Sequence, residues 1–212
     1  MAETSTGRRE RKKTRTRQAL ADAAVRLFTE RGFDHVGVRE VAEAADVSLS
    51  TLFKHFPSKE ALVFDLDADI ESDLVAAVRD RSPGQSPLHA LRDHMLRTRT
   101  AVRSDDPTFV LVESTPALRD YARRMWSRHE KTLAAALAEA TGLAPEDPAV
   151  TGLARFALEA PGIARASQDP AQAVRDLFAL LEHGWATTPL ARQETAPAGT
   201  HNRDQRPHRP SQ

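Results

Sequence analysis

The stretch from Val38 to Phe56, VREVAEAADVSLSTLFKHF, constrains the fold more than any other part of the chain. It reads as two short helices meeting at a tight corner. The first runs from about Val38 to Ala45, with Val41, Ala42 and Ala45 facing inward. Asp46 and Val47 form the corner, and aspartate tolerates the left-handed backbone such a corner needs better than most non-glycine residues. Ser48 is placed to cap a second helix, Leu49 to His55, whose inward side is Leu52 and Phe56. Ser50, Thr51, Lys54 and His55 are left outward.

The surrounding segments are helical by the same spacing rule. Leu20, Ala23, Ala24, Leu27 and Phe28 form one stripe of a helix expected from Thr14 to Arg31. Gly32 ends it. Residues 1–13 form a basic arm, expected to be disordered, and its run RRERKKTRTR extends from Arg8 to Arg17. After Pro57, Ser58 can cap a long helix, Lys59 to Asp80, striped by Leu62, Leu66, Ile70, Leu74 and Val78. The break SPGQSP follows. Further helices are expected over Leu88–Arg103, Pro107–Glu113, Pro116–Thr141, Asp147–Ala166 and Pro170–Thr187, with Pro107, Pro116 and Pro170 at helix starts. From Pro189 the tail is polar, proline-rich and expected to be disordered. No segment carries a useful strand period. The expected class is therefore all-α, divided as an arm (1–13), a helix-turn-helix head (14–58), a helical body (59–188) and a tail (189–212).

Charge divides the same way. The net charge of the whole chain is zero, but residues 1–60 carry +3, residues 61–188 carry −5 and residues 189–212 carry +2. A basic head on an acidic body points to a polyanion met by the head alone. In a helix-turn-helix the second helix enters the major groove, and small residues at its start let the backbone approach base edges. Ser48, Leu49, Ser50 and Thr51 suit that role, and Lys54 and His55 can reach a base or a phosphate one turn on. Arg15, Arg17 and Arg39 can neutralise phosphates, and the amides near Ser58 and Lys59 can hold an anion at a helix start. A helix pair of this kind is also common as plain packing, and a basic run as a solvated tail; it is their combination that favours DNA.

The motifs ALADAAVRLFTERGF and VREVAEAADVSLSTLFKHFPSKEAL, spanning Leu20–Leu62, resemble the DNA-binding domain of TetR-family transcriptional regulators. The resemblance implies a three-helix head, a larger helical body that binds a ligand, and a homodimer on a palindromic operator. It adds Gly37 and Val38 to the expected DNA contacts. Three residues depart from the family pattern. Gly37 stands where serine or threonine is usual, Asp46 replaces the turn glycine, and Phe53 replaces a common tyrosine, losing a phenolic phosphate contact.

For the body, the resemblance implies that the last two long helices pair with those of a second copy. Leu153, Phe156, Ala157 and Ala160 on one, and Val174, Leu177, Phe178, Leu181 and Trp185 on the other, supply the apolar faces, although the same residues would serve as core within one subunit. The middle helices are expected to enclose an effector pocket lined by Leu66, Ile70, Leu91, Met95, Phe109, Val112, Met125, Trp126 and Leu133. Glu113, His94, His129, Arg97 and Glu159 are the polar groups that could orient a ligand. Glu113–Gly142 is similar to the C-terminal domain of a TetR subfamily that binds acyl-CoA-like ligands, which implies a small apolar or acyl-type effector. The expected mechanism is a ligand-responsive repressor; an activator or a ligand-independent regulator would use the same fold.

Other classes fit poorly. The sequence has no G-x-S-x-G, P-loop, G-x-G-x-x-G or H-E-x-x-H motif, so an enzyme is not expected, and neither a cofactor nor a metal is implied. Its neutral total disfavours a nonspecific DNA-packaging protein. The absence of cysteine removes disulfides and thiol chemistry and fits a reducing cytoplasm. The basic N-terminus lacks the apolar core of a secretory signal, and no apolar run approaches the roughly 20 residues of a membrane span. The expected setting is the bacterial cytoplasm, at the nucleoid when DNA is bound.

Overall fold

The first helix, α1, occupies Ser5–Arg31 in a computed structural model that describes residues 5–98 and 105–184. It starts nine residues before Thr14, so the part of the arm from Ser5 onward is helical rather than disordered. Arginine, lysine and glutamate are good helix formers, and a helix nucleated farther on extends through them at little cost. The tail expected from residue 189, and Trp185, lie outside the described residues.

Among the described residues eight more helices follow: α2 (Val38–Ala44), α3 (Leu49–His55), α4 (Asp67–Arg79), α5 (Pro87–Thr98), α6 (Pro107–Ser114), α7 (Pro116–Thr141), α8 (Pro148–Ala164) and α9 (Pro170–His183). There is no strand among the described residues, and the fold is all-α. Proline opens α6, α7, α8 and α9, where no intrahelical N–H is lost. Asp106, Asp147 and Asp169 cap three of these starts, accepting backbone N–H bonds of 2.8–3.1 Å.

The long helix expected over Lys59–Asp80 is broken. A 3₁₀ turn covers Glu60–Leu62, the chain bends through Phe64–Leu66, and α4 begins only at Asp67. The stripe Leu62–Leu66–Ile70–Leu74–Val78 therefore serves two cores. Leu62 is fully buried in the head, Leu74 and Val78 are buried in the body, and Leu66 between them is 57% exposed. Tertiary ties explain the break. Phe64 stacks on Tyr121 with ring centroids 5.1 Å apart, and the Asp65 carbonyl accepts a bond from Arg17 instead of continuing a helix.

The head core gathers Leu20, Ala24 and Phe28 of α1 with Phe33, Val36, Val41, Leu52, Phe56 and Leu62. Phe28 and Phe33 meet edge to face at 5.0 Å. Leu111 of α6 and Leu118 of α7 belong to this same cluster. The boundary expected at residue 58 thus cuts a core that continues through Ala61 and Leu62 and is closed by two helices of the body. The second core joins α4, α5, α7, α8 and α9 around Leu91, Met95, Leu133, Leu137, Ala157 and Phe178. Burying a side chain of this size is worth about 1.5–3 kcal/mol, so either core dominates the surface ion pairs around it.

Candidate nucleic-acid interface

The corner between α2 and α3 forms as its residues demand. Asp46 has φ 54°, the one positive value at a non-glycine position among the described residues. Val47 donates its N–H to the Ala42 carbonyl at 3.0 Å, closing the corner. Ser48 takes an extended conformation, and its Oγ accepts the Thr51 N–H at 3.2 Å. That oxygen also lies 2.9 Å from Ser50 Oγ and 2.8 Å from Thr51 Oγ1. Three hydroxyls therefore stand together at the start of α3, able to turn as donors or acceptors toward a base edge or a phosphate.

Ser48, Ser50 and Lys54 are exposed, with Leu49, Thr51 and His55 half-buried beside them. On α2, Arg39 is exposed and Val38 half-buried, and Arg15 is exposed on α1. Phe53 is 50% exposed on α3 between Leu52 and Lys54. Sequence reasoning counted Phe53 as a lost contact; the structure makes it a large apolar group on the outer surface, suited to packing on sugar or a thymine methyl. Its signal was available: the α3 stripe uses Leu52 and Phe56, which leaves position 53 outward.

Three expected phosphate contacts are engaged inside the head. Arg17 Nη1 donates to the His55 carbonyl at 3.0 Å and Nη2 to the Asp65 carbonyl at 2.8 Å. Its Nε lies 2.6 Å from Asp65 Oδ1, an ion pair that is close but not aligned as a hydrogen bond. The guanidinium also covers the Phe56 ring at 4.6 Å. Arg17 thus fastens the C-terminus of α3 to the bend before α4. Lys59 donates to the Phe33 carbonyl, with its ammonium 4.2 Å from the Phe33 ring centroid. Desolvation there holds its pKa below the usual lysine value. The Gly37 N–H, expected to face phosphate, donates to Glu40 Oε1 at 2.9 Å, and Glu40 pairs with Arg31 at 2.7 Å. The Gly37 bond and then Arg31 keep the Glu40 pKa low. For Arg17 and Lys59 nothing in the residue types announces this reassignment, because it depends on tertiary neighbours, whereas the Gly37–Glu40 bond is local, with glutamate three residues after the cap.

His55 is shifted below its ordinary 6.5, first by desolvation and then by the charges of Arg17 and Lys13. It is neutral at neutral pH, able to accept or donate one hydrogen bond.

Among the described residues, those expected to line an effector pocket stand in several settings. Leu91, Met95 and Leu133 are buried in the body core, Ile70 packs against it, and Val112 packs on the head core. Met125 is buried, Phe109 and Trp126 are half-buried, and Glu113, Arg97 and Glu159 are exposed. His129 is fully buried; its Nε2 lies 2.6 Å from Asp67 Oδ1, and its Nδ1 has no partner. A polar cavity of about 540 Å³ opens between α4 and α5, lined by Asp73, Asp80, Arg81, Asp93, His94 and Arg97 among others.

The expected dimer face also divides. Ala157, Ala160, Val174 and Phe178 are at most 1% exposed within one chain and cannot add to a contact between copies. Helical spacing alone does not tell a helix's inner face from an outer apolar one. Leu153, Phe156 and Leu177 are half-buried, Leu181 is 41% exposed, and Ile163, which sequence reasoning missed, is 58% exposed.

A capped, outward-facing second helix with hydroxyls at its start and a cation at its end defines the head as a helix-turn-helix DNA-binding domain. The family described as "Bacterial regulatory proteins, tetR family" matches residues 20–66. That match covers the head, so residues 20–66 form a TetR-family DNA-binding domain. It is 35% identical over 129 residues to the HTH-type transcriptional regulator TcmR of Streptomyces glaucescens, covering 56% of this chain and 57% of that protein. The chain spans about half the length of the curated relatives it matches. Salmonella enterica GusR shares the fold with a TM-score of 0.55 at 22% identity, over 80% of this chain and 94% of that one. FadR of Thermus thermophilus, a transcriptional repressor solved in complex with lauroyl-CoA, has a TM-score of 0.51 at 23% identity, over 86% and 98%.

Proposed function

We propose that this protein is a transcriptional regulator that holds α3 in the major groove of a palindromic operator as a homodimer, and releases DNA when an effector binds its body. The observation that carries this reading is the outer face of α3. Ser48, Ser50 and Thr51 cluster at its capped start, and Phe53 and Lys54 stand exposed one turn on. In this reading Ser48, Leu49, Ser50, Thr51, Phe53, Lys54 and His55 meet bases or nearby phosphates, while Arg15, Val38 and Arg39 meet the backbone. Arg17, Gly37 and Lys59 shape the surface without leading it.

The dimer forms through the outer apolar strip of α8 and α9, namely Phe156, Ile163, Leu177 and Leu181. Two heads one helical turn of DNA apart, roughly 34–36 Å, then read two half-sites. The effector is a small apolar or acyl-type molecule, the class suggested by the resemblance over Glu113–Gly142. Because the cavity between α4 and α5 is polar, an acyl chain would enter by opening the core around Leu91, Met95 and Leu133. Effector and operator then oppose each other by their differing affinities for two arrangements of the heads, typically 5–150-fold. The protein acts in the cytoplasm, at the nucleoid; among the described residues no helix is long and apolar enough to cross a membrane.

The test is selection from a random-sequence duplex library by the purified full-length chain, with native mass spectrometry of the complex. The expected result is an enriched inverted repeat bound by two copies. Lys54→Ala should weaken binding to that repeat at least about fivefold, since one good base contact is worth about 1–3 kcal/mol, with melting unchanged. Enrichment of no inverted repeat would remove the operator reading.

A further inference from the structure

Among the described residues three buried side-chain atoms have no hydrogen-bond partner: Asp65 Oδ1, Arg165 Nε and His129 Nδ1. Two are compensated in other ways. Asp65 Oδ1 lies 2.6 Å from the Arg17 guanidinium, and the Arg165 guanidinium rests on the Phe109 ring, 4.2 Å from its centroid. His129 has no such cover at Nδ1. Its acidic neighbours, Asp67 at 2.6 Å and Glu71 at 3.6 Å, both stand at Nε2. Trp126 meets the ring edge to face with centroids 5.1 Å apart, a packing contact. The His129 side chain is wholly buried, and an unmade hydrogen bond in such a place is costly and rare.

The chemistry of the ring says what is missing. Asp67 accepts from Arg128 at one oxygen, 2.7 Å away, and meets the His129 ring at the other. A carboxylate only accepts, so Nε2 carries the proton, and in the neutral ring Nδ1 is left as a lone-pair acceptor. The partner it lacks is a donor. The fold says where that donor comes from. On α7, Leu118 belongs to the head core and Leu133 to the body core, while the buried Met125 between them belongs to neither among the described residues. Met125 and Leu133 flank His129 by one turn on the same helix face. His129 therefore stands at the edge of the core that an effector would open.

We propose that the effector carries an O–H or N–H donor on an apolar frame, and that His129 Nδ1 receives it. The inference rests on the effector reading above and narrows it. The carbonyl of an ester or ketone only accepts, so an acyl-type molecule qualifies through a hydroxyl or an N–H. The ring that takes the donor also holds Asp67, the first residue of α4. Hydrogen bonds in series strengthen one another, so a donor at Nδ1 tightens the bond at Nε2 and is felt at the tie between α4 and α7.

The experiment uses the full chain, labelled at histidine with the heavy nitrogen isotope, and two matched pairs of probes: para-hexylphenol with para-hexylanisole, and decanol with its methyl ether. Within each pair one methyl group removes the donor and keeps the acceptor. Affinity is read by calorimetry and the His129 Nδ1 resonance by NMR, for the parent and for His129→Gln. The glutamine amide can reach Asp67 in place of Nε2 but puts no group at Nδ1; circular dichroism and melting check its fold. The expected result is a preference of about tenfold for the donor of each pair, the worth of one hydrogen bond. The donor also moves the parent's Nδ1 resonance toward that of a hydrogen-bonded acceptor, the ether leaves it in place, and His129→Gln loses the preference. Where the variant does not fold, the resonance decides alone. Equal affinities within each pair overturn the proposal and leave the effector reading standing, with Nδ1 given over to a water molecule. Tighter binding of the ethers overturns it too, since Nδ1 then carries a proton. A donor preference that survives in His129→Gln overturns the assignment to this residue and makes the preference one of size. If no probe binds, the proposal and the effector reading both fall for apolar molecules of this size.

Discussion

Replacing Arg17 with alanine separates two roles that the same residue type can play. If Arg17 is a clamp, its loss removes two charge-assisted hydrogen bonds to half-buried backbone carbonyls, of 3.0 and 2.8 Å. It also removes a cation–π contact with Phe56 at 4.6 Å and the counter-charge of Asp65, whose side chain is only 12% exposed. Charged hydrogen bonds contribute about 1.5–3 kcal/mol each and an exposed cation–π contact about 0.5–1. The Arg17 side chain is 36% exposed, so the low end applies to all of these. The total is about 3.5 kcal/mol. For a chain of this size each kcal/mol moves Tm by about 2–4 °C, which gives a fall of about 7–14 °C.

The assay pairs calorimetric melting with salt-dependent DNA binding. A clamp predicts the fall in Tm and a weaker operator affinity with an unchanged salt slope, because α3 is loosened while no phosphate contact is deleted. Arg17→Lys should recover no more than half of the stability, since one ammonium cannot reach both carbonyls and the carboxylate in the fork geometry of a guanidinium. A Tm within 1–2 °C of the parent, together with a slope shallower by about 0.9, would refute the clamp and restore Arg17 to the phosphate contacts.

Asp46→Val should cost about 1–2 kcal/mol in denaturant unfolding, because a β-branched side chain is strained at φ 54°, whereas Asp46→Gly should stay within about 1 kcal/mol of the parent. His55 titrates below 6.5 in the folded head, so the unfolded chain binds its proton first; stability should be full above about pH 6.5 and decline as pH falls through that value, and His55→Gln should flatten this part of the melting profile. Asp67→Ala takes from the buried His129 its 2.6 Å partner, leaving Nε2 only Glu71 at 3.6 Å, and takes Arg128 from its 2.7 Å partner, so chemical unfolding should show a loss of about 1–3 kcal/mol.

The parts of the head that follow from local chemistry were legible in the sequence. The Ser48 cap, the left-handed Asp46 and the inward set Val41, Ala42, Leu52 and Phe56 each depend on residues within one or two turns. The bounds of α3 and α7 follow from the same signals, serine before one and proline at the start of the other. What sequence reasoning misplaced depends on distant partners. The stripe through Leu66 suggested one unbroken helix because periodicity cannot register that Asp65 is drawn to Arg17, 48 positions away. Likewise the α8 and α9 stripes fit either an interface or a core by spacing alone, and Ala157, Ala160, Val174 and Phe178 fill the subunit's own core while Ile163 and Leu181 stay outside. An arginine or lysine in a DNA-binding head is a phosphate contact by type alone, and Arg17 and Lys59 become struts only through carbonyls and rings that folding brings to them.

The break before α4 changes how signals could pass between body and head. A rigid helix from Lys59 to Asp80 would have carried any tilt of the body directly to α3. Instead, two ties two residues apart meet at the bend. Asp65 is held by Arg17, which also holds the end of α3, and Asp67 is held by Arg128 and His129 of α7. Helix α7 in turn contributes Leu118 and Tyr121 to the head's side of the molecule, with Leu111 of α6 beside them. The head is therefore coupled to the body through a packed seam and a pair of charged ties rather than through one lever. Buried, well-packed seams shift between discrete arrangements rather than deforming smoothly. An effector that displaced α7 by prising the core around Leu133 would have to break or carry the Asp67 tie. Variants at Asp67 and Arg17 should then alter the coupling between effector and operator more than variants on the exposed face of α4.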